Sequence, residues 1–259
     1  MAILNLDDQR RPIKLASPDK ITGDWKLIVD EIIAACKKNL GSRLVSIYIG
    51  GSVPLGTAEP GKSDVDAYAI VDIPKENLEG EYRNWADPER KRLDGKYSFQ
   101  RGIEIHLISR DNISNGKKFQ MKYTSACVYG TDLSEGYPDY PITKEVFASI
   151  RVSVPKDIES AFDDLSKTNN PSEIKKIGTW ISRRLIRSLG VAVLWKENIY
   201  TMDIEPLVDL IIKHFPEKER EIRTLFTYVA DAPSDKKTIQ GMLNTFGKWV
   251  VEKDTEILG

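Results

Sequence analysis

Two aspartates, Asp64 and Asp66, stand one residue apart at the head of an apolar run, SDVDAYAIVD. In an extended strand, side chains two positions apart share a face, so both carboxylates project together while Val65, Ala67 and Ala69 turn to the other side. Like charges side by side are unfavourable unless a cation neutralises them. A hard divalent cation such as Mg²⁺ takes oxygen ligands, commonly one or two carboxylates plus substrate phosphates. An isolated Asp-x-Asp equally fits a solvated turn at a strand edge, so its neighbours decide the reading. Upstream, Gly51 and Ser52 form a small-residue turn where phosphate could approach the main chain and the Ser52 hydroxyl adds a donor. Downstream, Glu104 sits in GIEIHLIS, on the face opposite Ile103, Ile105 and Leu107. A mid-strand carboxylate is costly unless its face lines a site. Three acids on adjacent strands could hold one or two metal ions, and one could take the proton from an attacking hydroxyl.

Positioning these groups requires a sheet. Residues 20–40 carry Trp25, Ile28, Val29, Ile32, Ile33 and Cys36 at helical spacing, with Gly41 as a stop signal. RLVSIYIG then reads as a first strand ending at Gly50-Gly51, Ser52 opens a short turn or helix, and Pro60-Gly61 breaks the chain before the second strand. Residues 74–96 read as a polar, charge-rich segment. KYSFQRGIEIHLISRD reads as a strand pair or one long strand. From about residue 156 the periodicity is helical throughout, with SKTNNPSE as a hinge between helical segments. The expected fold is α+β: a mixed sheet flanked by helices over residues 1–155, then an all-helical bundle over 156–259.

Within that helical half, Arg183, Arg184 and Arg187 interrupt an apolar stripe running through Ile177, Ile181, Leu185, Leu189 and Ala192. Projected at about 100° per residue, Arg184 falls on the stripe's edge, with Arg187 and then Arg183 further round. An inward-leaning arginine suits a triphosphate, and it equally suits an ion pair. YTMD, residues 200–203, is expected to be a loop. His106 shares a face with Glu104 and is expected to be a structural neighbour; His214 is expected to cap a helix C-terminus. Trp85 fits either a packed ring or a ring stacked on substrate. The segment around it carries Arg83, Arg90, Lys91, Arg92, Lys96 and Arg101 against Glu81, Asp87, Glu89 and Asp94. That slightly basic balance suits phosphates better than a polycationic acceptor.

With 38 basic and 39 acidic side chains in 259 residues, net charge names no partner and gives no general nucleic-acid footprint. Cys36 and Cys127 lie far apart and outside any CxxC pair, so buried free thiols are expected. The N-terminal residues lack a signal-like apolar stretch and no run reaches transmembrane length, which predicts a cytoplasmic protein with no membrane partner.

The order Gly-Ser, spacer, Asp-x-Asp, then an acid flanked by apolar residues, IEI, resembles the signature of the nucleotidyltransferase superfamily with the DNA polymerase β type fold. The two-part plan is similar to the streptomycin and spectinomycin type aminoglycoside adenylyltransferases. The likeness is carried by motifs across residues 47–110 and by architecture beyond about 150; CVYGTDL also looks like the strand and Tyr-Gly turn that follow the third acid in such domains. The resemblance implies Asp64 and Asp66 as Mg²⁺ ligands and Glu104 as the third acid, metal-bound or general base. It implies Gly51 and Ser52 on the nucleotide phosphates, with Ser63 placed to cap them. Arg184 and Arg187 are candidate nucleotide contacts, in a helical half expected to close over the nucleotide and acceptor cleft. The implied activity is transfer of a nucleoside monophosphate, AMP from ATP, to a hydroxyl of a small molecule of aminoglycoside type. Transfer to tRNA, protein or a second nucleotide, and an inactive nucleotide-binding module, are the competing readings.

Overall fold

The computed structural model describes residues 3–151, 153–201 and 203–259. The chain divides into two compact units, one comprising Met1–Leu4 with Ile13–Tyr140 and the other Asn5–Pro12 with Pro141–Gly259.

The first unit is built on a four-stranded sheet. Helix α1 (Gly23–Leu40) leads into β1 (Leu44–Gly50), a short α2 (Ser52–Leu55) and β2 (Val65–Val71). Then follow α3 (Asp87–Lys96), β3 (Ile103–Ser109), α4 (Asn115–Tyr123) and β4 (Ala126–Gly130). The spatial order is β3-β2-β1-β4. β1 is antiparallel to both neighbours, whereas β2 and β3 run parallel. A parallel pair needs a crossover, and the chain between β2 and β3 supplies one.

One face of the sheet is apolar throughout. Ile47, Ile49, Val65, Ala67, Ala69, Val71, Ile103 and Ile105 pack against Ile28, Val29, Ile32 and Cys36 of α1. The alternate residues face the other way, where Tyr48, Tyr68 and Ile70 meet Ile113 and Met121 beside α4. That second face turns polar at Asp66, Glu104 and His106, so the same period-two pattern that builds the core delivers the acids.

The polar segment 74–96 proves helical: Leu78–Glu81 and a wide turn at Tyr82–Ala86 run directly into α3. Its charges hid the helix because they pair with one another across helical turns. Arg90 bonds Asp87 at 2.8 Å and Asp94 at 3.0 Å, and Arg92 bonds Glu89 at 2.6 Å. Trp85, Ala86 and Leu93 are buried beneath, which settles Trp85 as a packed ring. Asp94 also accepts the Ile103 amide at 2.9 Å and Gln100 Nε2 at 3.1 Å. The end of α3 thereby pins the start of the strand that carries Glu104. The segment KYSFQRGIEIHLISRD thus contributes one strand to the sheet and not a strand pair. Both cysteines are free, Cys36 buried within the core.

The second unit is helical: α5 (Lys144–Ile150), α6 (Val154–Lys167), α7 (Pro171–Leu194), α8 (Ile204–His214), α9 (Glu219–Asp231), α10 (Lys236–Met242) and α11 (Lys248–Leu258). The 24-residue α7 is its axis, packed by α6, α8, α9 and α11. The α6 to α7 break falls at the expected SKTNNPSE, where Asn170 Oδ1 accepts the Ser172 amide at 2.9 Å and Pro171 opens the helix. Arg10 ties the segment Asn5–Pro12 into this unit by donating to the carbonyls of Trp195 and Glu197 at 2.8 and 2.9 Å. His214 lies in the last turn of α8, as expected, and its Nε2 is 2.8 Å from Glu197 Oε1. No described helix is long and apolar enough to cross a membrane.

Glu31 joins α1 to the far end of α3. It accepts Arg92 Nη2 at 2.6 Å, and also bonds Lys96 and Tyr97. The Lys96, Tyr97 and Arg92 hydrogen bonds hold its carboxyl down at about 2, against an ordinary value of 4.5. A depressed folded value gives stability that is present above about pH 4.5 and is lost as pH falls toward 2. Glu31→Gln should therefore lower the melting temperature at pH 7 and shrink the drop in stability between pH 5 and pH 3, as read by thermal denaturation across that range. An unchanged acid profile in the variant would remove Glu31 as the source.

Candidate functional site

The acids meet because of strand register. Asp66 is directly paired with Glu104 across the parallel β2 and β3 ladder, and with Gly50 across the antiparallel β1 and β2 ladder. Asp66 and Glu104 therefore lie side by side on one face, with Tyr68 and His106 as the next pair along the same face. Those two rings stack with centroids 5.7 Å apart. Asp64 stands just before β2. Its carboxylate is held by Arg101, whose backbone N–H also donates to the Ser63 carbonyl at 2.8 Å.

The Gly-Ser turn reaches the same place from β1. Gly51 has φ 73° and ψ −150°, a conformation that disfavours any residue with a Cβ. A Cβ there would lie 3.4 Å from Asp66 Oδ2, so the open backbone of Gly51 is next to the carboxylate. Gly50 does different work. A Cβ on it would come within 2.7 Å of the Tyr68 hydroxyl oxygen and 2.9 Å of the ring, so its bareness makes room for Tyr68. Ser52 opens α2 and its Oγ hydrogen-bonds Ser63 Oγ at 3.0 Å, while Ser63 Oγ accepts the Glu59 amide at 3.0 Å. Ser63 is buried in this loop-closing role. It braces the turn from within.

Charge on this face is unbalanced. Burial, reinforced by Asp64, raises the Asp66 carboxyl above the ordinary carboxylate range, and His106 and Lys117 pull it back. Partial desolvation raises Glu104 as well, with Arg90 opposing and Asp94 and Asp64 adding. His106 is lowered by desolvation and by the nearby Lys117, with Asp66 opposing. Lys117, from the first turn of α4, places its Nζ 3.3 Å from the centroid of the Tyr68 ring. Desolvation pulls its ammonium down to about 8, with Asp66 opposing. Lys117 escaped the sequence analysis because α4 itself did; NGKKFQMKY offers only three buried residues, Phe119, Met121 and Tyr123, beneath a polar surface.

Among the described residues, no three His, Cys, Asp or Glu side chains are gathered tightly enough to hold a metal ion unaided. Two half-buried carboxylates, one of them disfavoured as an anion, are nonetheless a hard-oxygen donor set that fits Mg²⁺ when phosphate and water complete the shell. A cation drawing on Asp64 would displace Arg101.

The structure separates the two arginine candidates of α7. Arg184 Nε donates to Asp157 Oδ2 of α6 at 2.8 Å, the ion pair that the sequence left as its alternative. Arg187 is exposed, and it weakly opposes the burial that raises Asp203. Of YTMD, Met202 lies outside the described residues; Asp203 directly precedes α8 and its amide donates to Thr201 Oγ1 at 3.1 Å. The cations around Trp85 are mostly engaged by neighbouring acids: Arg83 by Glu79, Arg90 and Lys91 by Asp87, Arg92 and Lys96 by Glu31, and Arg101 by Asp64. The slightly basic balance of that segment is therefore consumed internally and says little about the acceptor.

Residues 29–126 match the nucleotidyltransferase domain family. No curated protein sequence matches the chain. Among solved structures, the spectinomycin adenyltransferase AAD(9) from Enterococcus faecialis, crystallised with ATP and spectinomycin, is similar in fold. The TM-score is 0.54 at 16% identity, over 89% of this chain and 99% of that one.

Gly51 gives a direct check on the turn. Gly51→Ala forces a side chain into a left-handed φ beside Asp66, at a cost on the order of 1–3 kcal/mol. The expected outcome is a lower denaturation midpoint together with weaker nucleotide binding by calorimetry; unchanged nucleotide affinity would separate the turn from the ligand site.

Proposed function

Taking residues 29–126 as a nucleotidyltransferase domain, in a chain that is an enzyme of the transferase class, we propose that the protein transfers AMP from ATP to a hydroxyl of a small-molecule acceptor, in a Mg²⁺-dependent reaction. The observation that carries this reading is the register pairing of Asp66 with Glu104 beside Gly50-Gly51, with Asp64 one step before the strand. Like acids are placed where a phosphate chain can approach bare backbone. The similarity to a spectinomycin adenyltransferase supports an antibiotic-like acceptor and ATP as donor.

In this reading Asp64 and Asp66 hold the metal and Gly51 and Ser52 receive the phosphates. Mg²⁺, when bound, supplies neutralisation of triphosphate charge and lowers the barrier by several kcal/mol. Glu104 accepts the proton as the acceptor oxygen forms its bond to the α-phosphorus and the bond to the departing pyrophosphate breaks in line. Its raised carboxyl pKa makes it a better base than an ordinary glutamate. The remaining catalysis is positioning, by acids whose strand register is already set. Of the two arginine candidates from the sequence, Arg187 is exposed on α7 and Arg184 is engaged by Asp157, so Arg187 is the freer to meet an anion.

The acceptor is tested by incubating the protein with radiolabelled ATP and Mg²⁺ against aminoglycosides, spectinomycin, lincosamides, tRNA and cell extract. Label on one of the antibiotics is the expected result. Label on tRNA or protein would move the acceptor class, and no label with any of them would favour the inactive nucleotide-binding module.

Two variants test the roles of the acids. Asp66→Asn or Asp64→Asn should fold normally and lose on the order of 10³-fold or more in transfer, since a ligand charge is removed from the transition state. Turnover within about tenfold of wild type in both would sink the metal-ligand assignment. Glu104→Gln should retain Mg-ATP binding by calorimetry while turnover collapses, which marks a general base; parallel loss of binding would make Glu104 chiefly a metal ligand.

A further inference from the structure

Lys117 is a cation without a conventional partner. Among the described residues its ammonium makes no hydrogen bond and no ion pair; its neighbours are the Tyr68 ring, 3.3 Å from Nζ to the centroid, and the field of Asp66. It also sits where a lysine is locally disfavoured, in the first turn of α4, whose amide ends repel a positive charge. Ser114 caps that turn by accepting the Lys117 amide at 3.3 Å, which holds the backbone from which the side chain leaves.

The platform under it is equally fixed. Tyr68 fills the space left by the missing side chain of Gly50 and stacks on His106. It lies two residues beyond Asp66 on the same strand face, about 7 Å along at ~3.3 Å per residue. An ammonium held over the ring is therefore on the face that carries Asp66 and Glu104. A cation resting on an aromatic ring is attracted by the negative face of the ring. Its three N–H donors are left for another group.

We propose that Lys117 is a phosphate-binding residue, whose ammonium takes a non-bridging oxygen of the nucleotide's phosphate chain while remaining over Tyr68. The inference rests on the nucleotidyl-transfer reading of this face and adds to it a contact from α4, outside the Gly-Ser turn and the acids. In the absence of nucleotide the same ammonium offsets the charge of Asp66, so ligand binding trades one anion near it for another.

The test uses calorimetric binding to the full chain of three probes: Mg-ATP, Mg-pyrophosphate and adenosine. Lys117→Met keeps the aliphatic stem and removes the charge. The expected result is a loss of about tenfold or more for Mg-ATP and for Mg-pyrophosphate, with adenosine changed less than about threefold; tenfold corresponds to about 1.4 kcal/mol. Lys117→Arg should recover part of the loss, since it restores the charge. Mn²⁺ binding without nucleotide, followed by electron paramagnetic resonance, should be equal or tighter in Lys117→Met, because a like charge has gone. A purely structural lysine would instead weaken all three probes together and lower the melting temperature. Unchanged Mg-ATP affinity, or equal loss for adenosine, would overturn the assignment while leaving the transfer reading intact. A wild-type chain that binds neither Mg-ATP nor Mg-pyrophosphate would overturn both.

Discussion

The repulsion among carboxylates on one strand face is the constraint around which the first unit is arranged. Asp66 is paired in register with Glu104, and Asp64 adds to the charge on both. Like charges paired across neighbouring strands are destabilising, and that repulsion is relieved by compensation. The structure supplies it in two unlike ways. Asp64 is met directly by Arg101 at the surface, whereas Asp66, among the described residues, is met by the longer-range charges of Lys117 and His106. The half-buried Asp66 is the acid left less satisfied, which is the expected state of a group that awaits a cation.

Everything beneath that face serves to hold it still. The apolar side of the same strands packs on α1, so a slip of one residue in β2 or β3 would bury the acids and expose Val65, Ala67, Ile103 and Ile105. Register is thus fixed by hydrophobic pattern, and the pattern fixes the acids. The end of α3 adds a local clamp through Asp94 on the Ile103 amide, and Glu31 carries that clamp back to α1. Rigid placement of this kind is what positional and electrostatic catalysis requires.

The acids, the Gly-Ser turn and the strands were legible because each depends on short-range chemistry: alternation, a glycine pair, a carboxylate out of place in a strand. The helical half was legible from its amphipathic period. What escaped was governed by pairing at a distance. Residues 78–96 looked like a solvated segment because nothing in the sequence says that Arg90 will bond Asp87 and Asp94 while Leu93 turns inward. Ser63 shows the same limit at the scale of one hydroxyl. It is adjacent to Asp64, yet its bonds go to Ser52 and Glu59, which only the folded loop brings near. Arg184 was poised between two readings by its helical angle alone, and Asp157 on α6 shows where its charge goes in the folded unit.

The two adjacent glycines illustrate how chemistry and packing share a short motif. Gly51 leaves backbone open beside Asp66, and its positive φ turns the chain from β1 into α2. Gly50, still in the strand and of ordinary φ, is needed because Tyr68 lies across it. A sequence reading treats both as one small-residue turn, but their consequences diverge. The first admits a ligand to the main chain. The second seats an aromatic ring two positions beyond Asp66, and through that ring it positions the ammonium of Lys117. The reach of the motif therefore extends past the turn to a helix that the motif does not predict, and the charge balance of the carboxylate face depends on a residue with no side chain at all.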